Sequence, residues 1–205
     1  MNISINKQSS IKIIDDKIIY FDPYNITDEI KDADFIFITH DHYDHFDEKS
    51  IRNIINRTTM LIIPRDMEES ARRLTSNYKV IDPGCRYEIS GLRFETVPAY
   101  NIKKRYHPKS KRYIGYIVEI GNKRVYAMGD TDRTPDIDEV KCDICFVPIG
   151  GTYTMNCEEA VNYINHIKPN LAIPIHYGSI VGDTSLGEQF KNKIDNSIKV
   201  ELYIK

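Results

Sequence analysis

Ile38-Thr39-His40-Asp41-His42-Tyr43-Asp44-His45-Phe46-Asp47 follows directly on the apolar run Phe35-Ile36-Phe37, and it places three of the chain's six histidines within six positions. His40, His42, Asp44 and His45 form the pattern His-x-His-x-Asp-His. The apolar run predicts a buried strand over residues 35–39. Residues i and i+2 of a strand share a face, so His40 and His42 are expected to converge on one metal ion. The chain then turns, and Asp44 and His45 can reach a second position nearby. So many polar groups at a buried strand end are costly unless metal or hydrogen bonds satisfy them. Imidazole and carboxylate at this spacing are metal-ligand chemistry. A polar strand-to-loop transition with no ion is the alternative.

The segment 39–45 resembles the signature of the metallo-β-lactamase superfamily. Three later stretches extend the likeness: Gly129-Asp130-Thr131-Asp132, Pro148-Ile149-Gly150-Gly151 and Pro174-Ile175-His176-Tyr177-Gly178. Together they are similar to the branch that contains ascorbate-phosphate lactonases and other metal-dependent hydrolases, over about residues 22–182. The resemblance implies an α/β fold, a four-layer αββα sandwich with two adjacent metal positions at one edge, between the sheets. Carried over residue by residue, His40 and His42 ligate the first position. Asp44, His45 and His176 ligate the second, and Asp130 bridges both. The implied cofactor is a divalent metal, Zn²⁺ first and Mn²⁺ next, in one or two copies. Such an ion supplies hydroxide near neutral pH for attack on a carbonyl or phosphoryl centre. Asp44, His45 and Asp130 are the catalytic candidates, with Asp44 also orienting the nucleophile.

One position departs from the family pattern. Where relatives carry a further first-site histidine in a Pro-Ala-x-His step, this chain reads Pro98-Ala99-Tyr100-Asn101. A carboxamide oxygen is a poorer ligand than imidazole for zinc-like ions. The first position is therefore weak, completed by water, or completed by His107; the alternative for His107 is an exposed loop histidine. The same loop, residues 103–112, carries six basic residues in ten. Lys103, Lys104 and Arg105 form either a clamp for an anionic substrate or an ordinary solvated loop. Tyr153 and Met155 resemble the family's loop beside the site and are candidates for shaping the pocket.

At 205 residues the chain is expected to form one domain, residues 1–205. Its 28% charged residues and net charge of −2 give no general attraction to nucleic acid or anionic membrane. No apolar run approaches the roughly 20 residues of a membrane span. The N-terminal Met1-Asn2-Ile3-Ser4-Ile5-Asn6-Lys7 lacks the apolar core of a secretion signal, which points to the cytoplasm. Cys142-Asp143-Ile144-Cys145 has C-x-x-C spacing without a second pair, and the following Phe146-Val147-Pro148-Ile149 favours small apolar cysteines packed at a strand start.

The remaining pattern predicts strands over 10–14 and 17–21 as a hairpin, then 60–63, 79–81, 86–89, 92–97, 114–120, 124–128, 143–148, 171–175 and 199–204. Helices are predicted over 49–57, 66–74 and 157–167, with a last one around Phe190. Asn156 and Glu159 have capping-box spacing at the third. These readings converge on a metal-dependent hydrolase of a small anionic ester, lactone or phosphodiester. A nuclease is the main enzyme rival, though 205 residues leave little room for a polymer-gripping domain. A non-catalytic metal or ligand sensor is the rival from another class. The sequence leaves homo-oligomerisation open.

Overall fold

Residues 1–204 are described by a computed structural model, in which the chain divides into two compact units, Met1–Asp82 and Pro83–Lys205. The first unit is built on a six-stranded mixed sheet whose strands lie in chain order. They are β1 (Asn2–Ile5), β2 (Ile11–Ile14), β3 (Ile18–Phe21), β4 (Phe35–Phe37), β5 (Met60–Pro64) and β6 (Tyr78–Ile81). β1 to β3 are antiparallel, and β3 to β6 run parallel. Parallel strands need a crossover, and the helices α1 (Glu48–Ile54) and α2 (Glu68–Leu74) provide two of them. Ile51, Ile54 and Ala71 on these helices pack with Ile36, Ile38, Leu61 and Ile63 in one buried cluster.

The second unit carries a seven-stranded mixed sheet, ordered β13-β12-β11-β10-β9-β8-β7. Its strands are β7 (Arg86–Ile89), β8 (Leu92–Pro98), β9 (Ile114–Ile120), β10 (Lys123–Ala127), β11 (Ile144–Pro148), β12 (Leu171–Ile175) and β13 (Lys199–Val200). β7 to β10 are antiparallel and β10 to β13 parallel. Helices α3 (Cys157–Ile167) and α4 (Ser185–Lys193) pack Tyr163, Ile164 and Phe190 against Tyr126, Val147 and Ala172. The capping box is formed: Asn156 accepts from the Glu159 N–H, and Glu159 accepts from the Asn156 N–H. Cys145 is buried in this core and Cys142 packs against it, as expected of small apolar side chains.

Several elements differ from the sequence expectation, most of them by one residue, while α1 stops at Ile54 instead of residue 57. β1 was not anticipated; its Ile3 and Ile5 are only half-buried, and pairing with β2 rather than a hydrophobic face places it. β4 ends at Phe37 instead of residue 39, so His40 and His42 stand on irregular backbone beyond the strand. β13 stops at Val200 instead of residue 204. Glu201 N–H donates to the Ala172 carbonyl, and the next donor the ladder requires would come from Pro174, which has none. Among the described residues no helix is long and apolar enough to cross a membrane.

Candidate metal centre

In the first unit the ligand candidates follow the carboxyl end of β4, where parallel strands deliver side chains to a crevice. The strand alternation expected to align His40 and His42 is absent, yet a bend brings their rings to 4.7 Å between centroids, edge to face. A turn closes behind them, with the His45 and Phe46 N–H groups both donating to the His42 carbonyl. Ligand atoms of His40 lie within 4.8 Å of those of His42 and His45, and Asp44 and His45 are equally close. His40, Asp44 and His45 are buried, and His42 is half-buried.

The residue organising this set is Asp22, directly after β3 and outside the candidate ligands read from the sequence. Its backbone N–H donates to the Phe37 carbonyl at 3.0 Å, and its φ of 44° lies in the left-handed region. Oδ1 accepts from the Thr39 N–H at 2.8 Å. Oδ2 accepts from the Thr39 hydroxyl at 2.6 Å and faces His45 Nδ1 at 2.7 Å. Because the Thr39 hydroxyl gives its proton to Asp22, it can only accept from His40 Nδ1, 2.9 Å away. Both imidazoles therefore carry their proton on Nδ1 and present Nε2 as a lone pair, a tautomer assigned from the network. A histidine backed by a carboxylate in this way is the usual arrangement of a metal ligand. Burial raises the Asp22 pKa, and His45 and Thr39 offset only part of that rise.

In the second unit Asp130 follows β10 after Gly129, whose φ of 67° suits glycine. Asp130 is 3% exposed and its Oδ2 faces two imidazoles: His176 Nε2 at 3.1 Å and His107 Nε2 at 3.4 Å. His176 directly follows β12 with a left-handed φ of 57°, and His107 has the same φ. Gly150 makes room for the first of these, since a Cβ there would stand 2.3 Å from the His176 carbonyl oxygen. His107 is 2% exposed, so the exposed-loop alternative does not hold. Asn101 lies against it, its Nδ2 hydrogens donated to the Tyr106 and Tyr153 carbonyls at 2.9 and 2.7 Å.

The basic loop is more neutral than its sequence suggests. Lys104 pairs with Asp132 and lies 3.5 Å from Glu159. Lys109 lies 2.8 Å from Asp136, holding that carboxyl below its ordinary range. Asp132 also accepts from the Ile102 N–H at 3.0 Å, so it pins the loop's start. Lys103 and Arg105 remain exposed. Tyr153 is half-buried, its ring edge-on to Tyr106 at 4.7 Å, while Met155 is buried in the core.

The donor set in each unit, imidazole nitrogens and carboxylate oxygens, fits a divalent first-row ion. The family model described as a beta-lactamase superfamily domain matches residues 6–176, most of the chain. The chain belongs to the beta-lactamase superfamily. A UPF0173 protein of Pyrococcus abyssi is 32% identical over 187 residues, covering 86% of this chain and 81% of its relative. A UPF0173 metal-dependent hydrolase of Staphylococcus haemolyticus is 26% identical over 95% of this chain and 93% of that one. The crystal structure of a Parabacteroides distasonis protein assigned as a metal-dependent hydrolase superposes with a TM-score of 0.82 at 31% identity, covering 99% and 93%.

This superfamily member is a metal-dependent hydrolase with an α/β fold of the metallo-β-lactamase type, the class that the His-x-His-x-Asp-His motif implies. What the motif could not reveal was Asp22. The available signal was an acidic residue directly after an apolar strand, which by itself more often marks a turn.

Proposed function

We propose that the protein hydrolyses a small anionic ester, lactone or phosphodiester, with Zn²⁺ as the first candidate ion and Mn²⁺ as the second. His40, His42, Asp44, His45, Asp130 and His176 are the proposed metal ligands. The observation that carries the ligand assignment is the Asp22 network, which presents both His40 Nε2 and His45 Nε2 as lone pairs. A bound divalent ion supplies an ionisable water near neutral pH and a Lewis-acid contact for the oxygen that gains charge.

The chain's own residues perform the rest. Asp44, nearly buried and with Oδ2 3.6 Å from His45 Nε2, accepts a hydrogen bond from the attacking water and fixes its direction. Asp22 holds His45 and, through Thr39, His40, so neither ring reorients as charge develops. Asp130 contributes a second carboxylate beside His176. Exposed Lys103 and Arg105 draw the anionic substrate towards the loop, with Tyr106 and Tyr153 offering flat apolar surface. Lys104 serves the loop's structure instead, because Asp132 and Glu159 already neutralise it.

A panel of lactones, carboxylic esters and phosphodiesters, assayed with Zn²⁺ and with Mn²⁺, tests this reading. Turnover of one anionic class that stops on chelation supports it. Turnover of RNA or DNA, with binding that weakens steeply as salt rises, would replace it by a nuclease. Tight metal binding without turnover of any class would leave a sensor.

A further inference from the structure

We propose that the edge of β7 pairs with the same edge of a second copy of this chain, joining two seven-stranded sheets antiparallel about a two-fold axis at Tyr87. Strand β7 ends the sheet of the second unit, and its residues alternate between exposed and half-buried. Among the described residues nothing stands over its two ends, since a Cβ built at Gly84 or at Gly91 meets no atom within 4 Å. An uncovered edge strand is a template for another strand unless its side chains repel one. The inference concerns a surface of the second unit and is independent of the metal centre and of any substrate.

The hairpin turn fixes which backbone groups this edge offers. Ser90 and Gly91 have φ of 50° and 77°, the two positive values of a type I′ turn, so Ile89 and Leu92 are the hydrogen-bonded pair beside it. Such pairs alternate along an antiparallel ladder, which makes Tyr87 and Phe94 the next one. The Cys85 carbonyl, accepting from the Thr96 N–H at 2.9 Å, continues the series. Arg86 and Glu88 therefore turn their N–H and carbonyl groups away from β8. A second β7 running antiparallel, with Tyr87 opposite Tyr87, sets Arg86 opposite Glu88 on both sides of the axis. Each of these contacts is then a hydrogen-bonded pair that exchanges its N–H and carbonyl groups reciprocally.

The side chains select this register. Arg86, its side chain 84% exposed, lies 3.7 Å from Glu95, which Arg124 holds more closely at 2.7 Å. Arg93 is taken by Glu119 at 2.8 Å. Glu88, opposite Arg93 in the ladder, forms no ion pair among the described residues. The three arginines and three glutamates of this open face balance, which argues against a ligand of one charge sign. Arg86 and Glu88 are the charges left at its rim, and each completes the other across the axis. A slip of two residues sets Arg86 against Arg86 or Glu88 against Glu88, which is unfavourable. A slip of one sets outward-facing groups against inward-facing ones. At the axis the two half-buried Tyr87 rings, each stacked on its own Phe94 at 5.3 Å, form a cross-strand aromatic pair.

The test is self-association of the full chain, followed by sedimentation velocity from low micromolar to near-millimolar concentration because so small an interface belongs to the weak class. Wild type should form a concentration-dependent dimer. Arg86→Glu and Glu88→Arg, each alone, should raise the dimer dissociation constant by about 10-fold or more, because both contacts become like-charged. An equimolar mixture of the two variants should dimerise again, and so should a chain carrying both, since opposite charges then meet at each contact. Disulfide trapping in a Cys85→Ser background reads the register. Tyr87→Cys should cross-link with itself, the Cα spacing of such a pair, about 4.5 Å, lying within the reach of a disulfide. Arg86→Cys and Glu88→Cys should cross-link when mixed and not singly, which reads the same register if Tyr87→Cys fails to fold. A wild type that stays monomeric throughout, single charge reversals that dimerise like wild type, or a mixture that does not recover overturns the inference. Cross-linking of Arg86→Cys with itself in place of the mixed pair overturns it as well.

Discussion

His40, His42, Asp44 and His45 come from six consecutive positions behind one strand, whereas His107, Asp130 and His176 are gathered from three distant segments of the second unit. The first set is held by a single carboxylate, Asp22, acting on one histidine directly and on another through Thr39. The second has a carboxylate at its middle and depends on backbone devices around it: two left-handed histidines, a glycine that clears the His176 carbonyl, and the Asn101 bonds to the Tyr106 and Tyr153 carbonyls. A local motif can be stabilised by one side-chain network. A dispersed one needs every contributing loop to be shaped separately, and so it has more places to fail.

The largest effect should come from removing a ligand in either set. His45→Ala and His176→Ala are each expected to lower kcat by more than about 100-fold, since even outer supports of metal ligands cost roughly 10- to 100-fold. Circular dichroism should show the fold retained, and a variant with wild-type turnover and metal content would remove that residue from the ligand set. Asp22→Ala should come next, with metal affinity down by about 10- to 100-fold. Because it frees two histidines, it should exceed the effect of Thr39→Val, which releases His40 only; equal effects would show that the relay through Thr39 does not matter.

Gly150→Ala probes the dispersed set. Its Cβ would stand 2.3 Å from the His176 carbonyl and 2.5 Å from Val181 Cγ2, so the backbone must shift, at a cost of about 1–3 kcal/mol. Thermal unfolding should register that loss together with reduced metal occupancy. An unchanged occupancy would show that His176 tolerates displacement. The smallest effect belongs to the loop. Lys103→Ser with Arg105→Ser should raise KM for an anionic substrate a few-fold at low ionic strength, with kcat little changed. The difference should fade at about 1 M salt, where the screening length falls to roughly 3 Å. Equal KM at low salt would mark these residues as a solvated surface.

The elements with strong periodicity were legible because their burial is regular: the 114–120 and 171–175 strands and the 157–167 helix have the bounds read from pattern alone. β1 escaped because its isoleucines are only half-buried and its pairing partner decides its conformation. The end of β4 was overestimated for the opposite reason. Ile38 is apolar and fully buried, but its burial lies past the last ladder pair, and hydropathy does not distinguish the two. Among the site residues, the charge of Lys104 looked available because Asp132 and Glu159, which neutralise it, stand far along the chain.

By itself the sequence determined the family and singled out the first set of candidate ligands, because those residues sit at spacings that one bend of backbone can bring together. Only the tertiary structure decided which nitrogen His40 and His45 offer, that Asp22 governs both, and that His107 is buried against Asp130 instead of lying in solvent. Tautomer and burial depend on partners tens of residues away, and those partners are chosen by the folding of whole loops rather than by the residues beside each histidine.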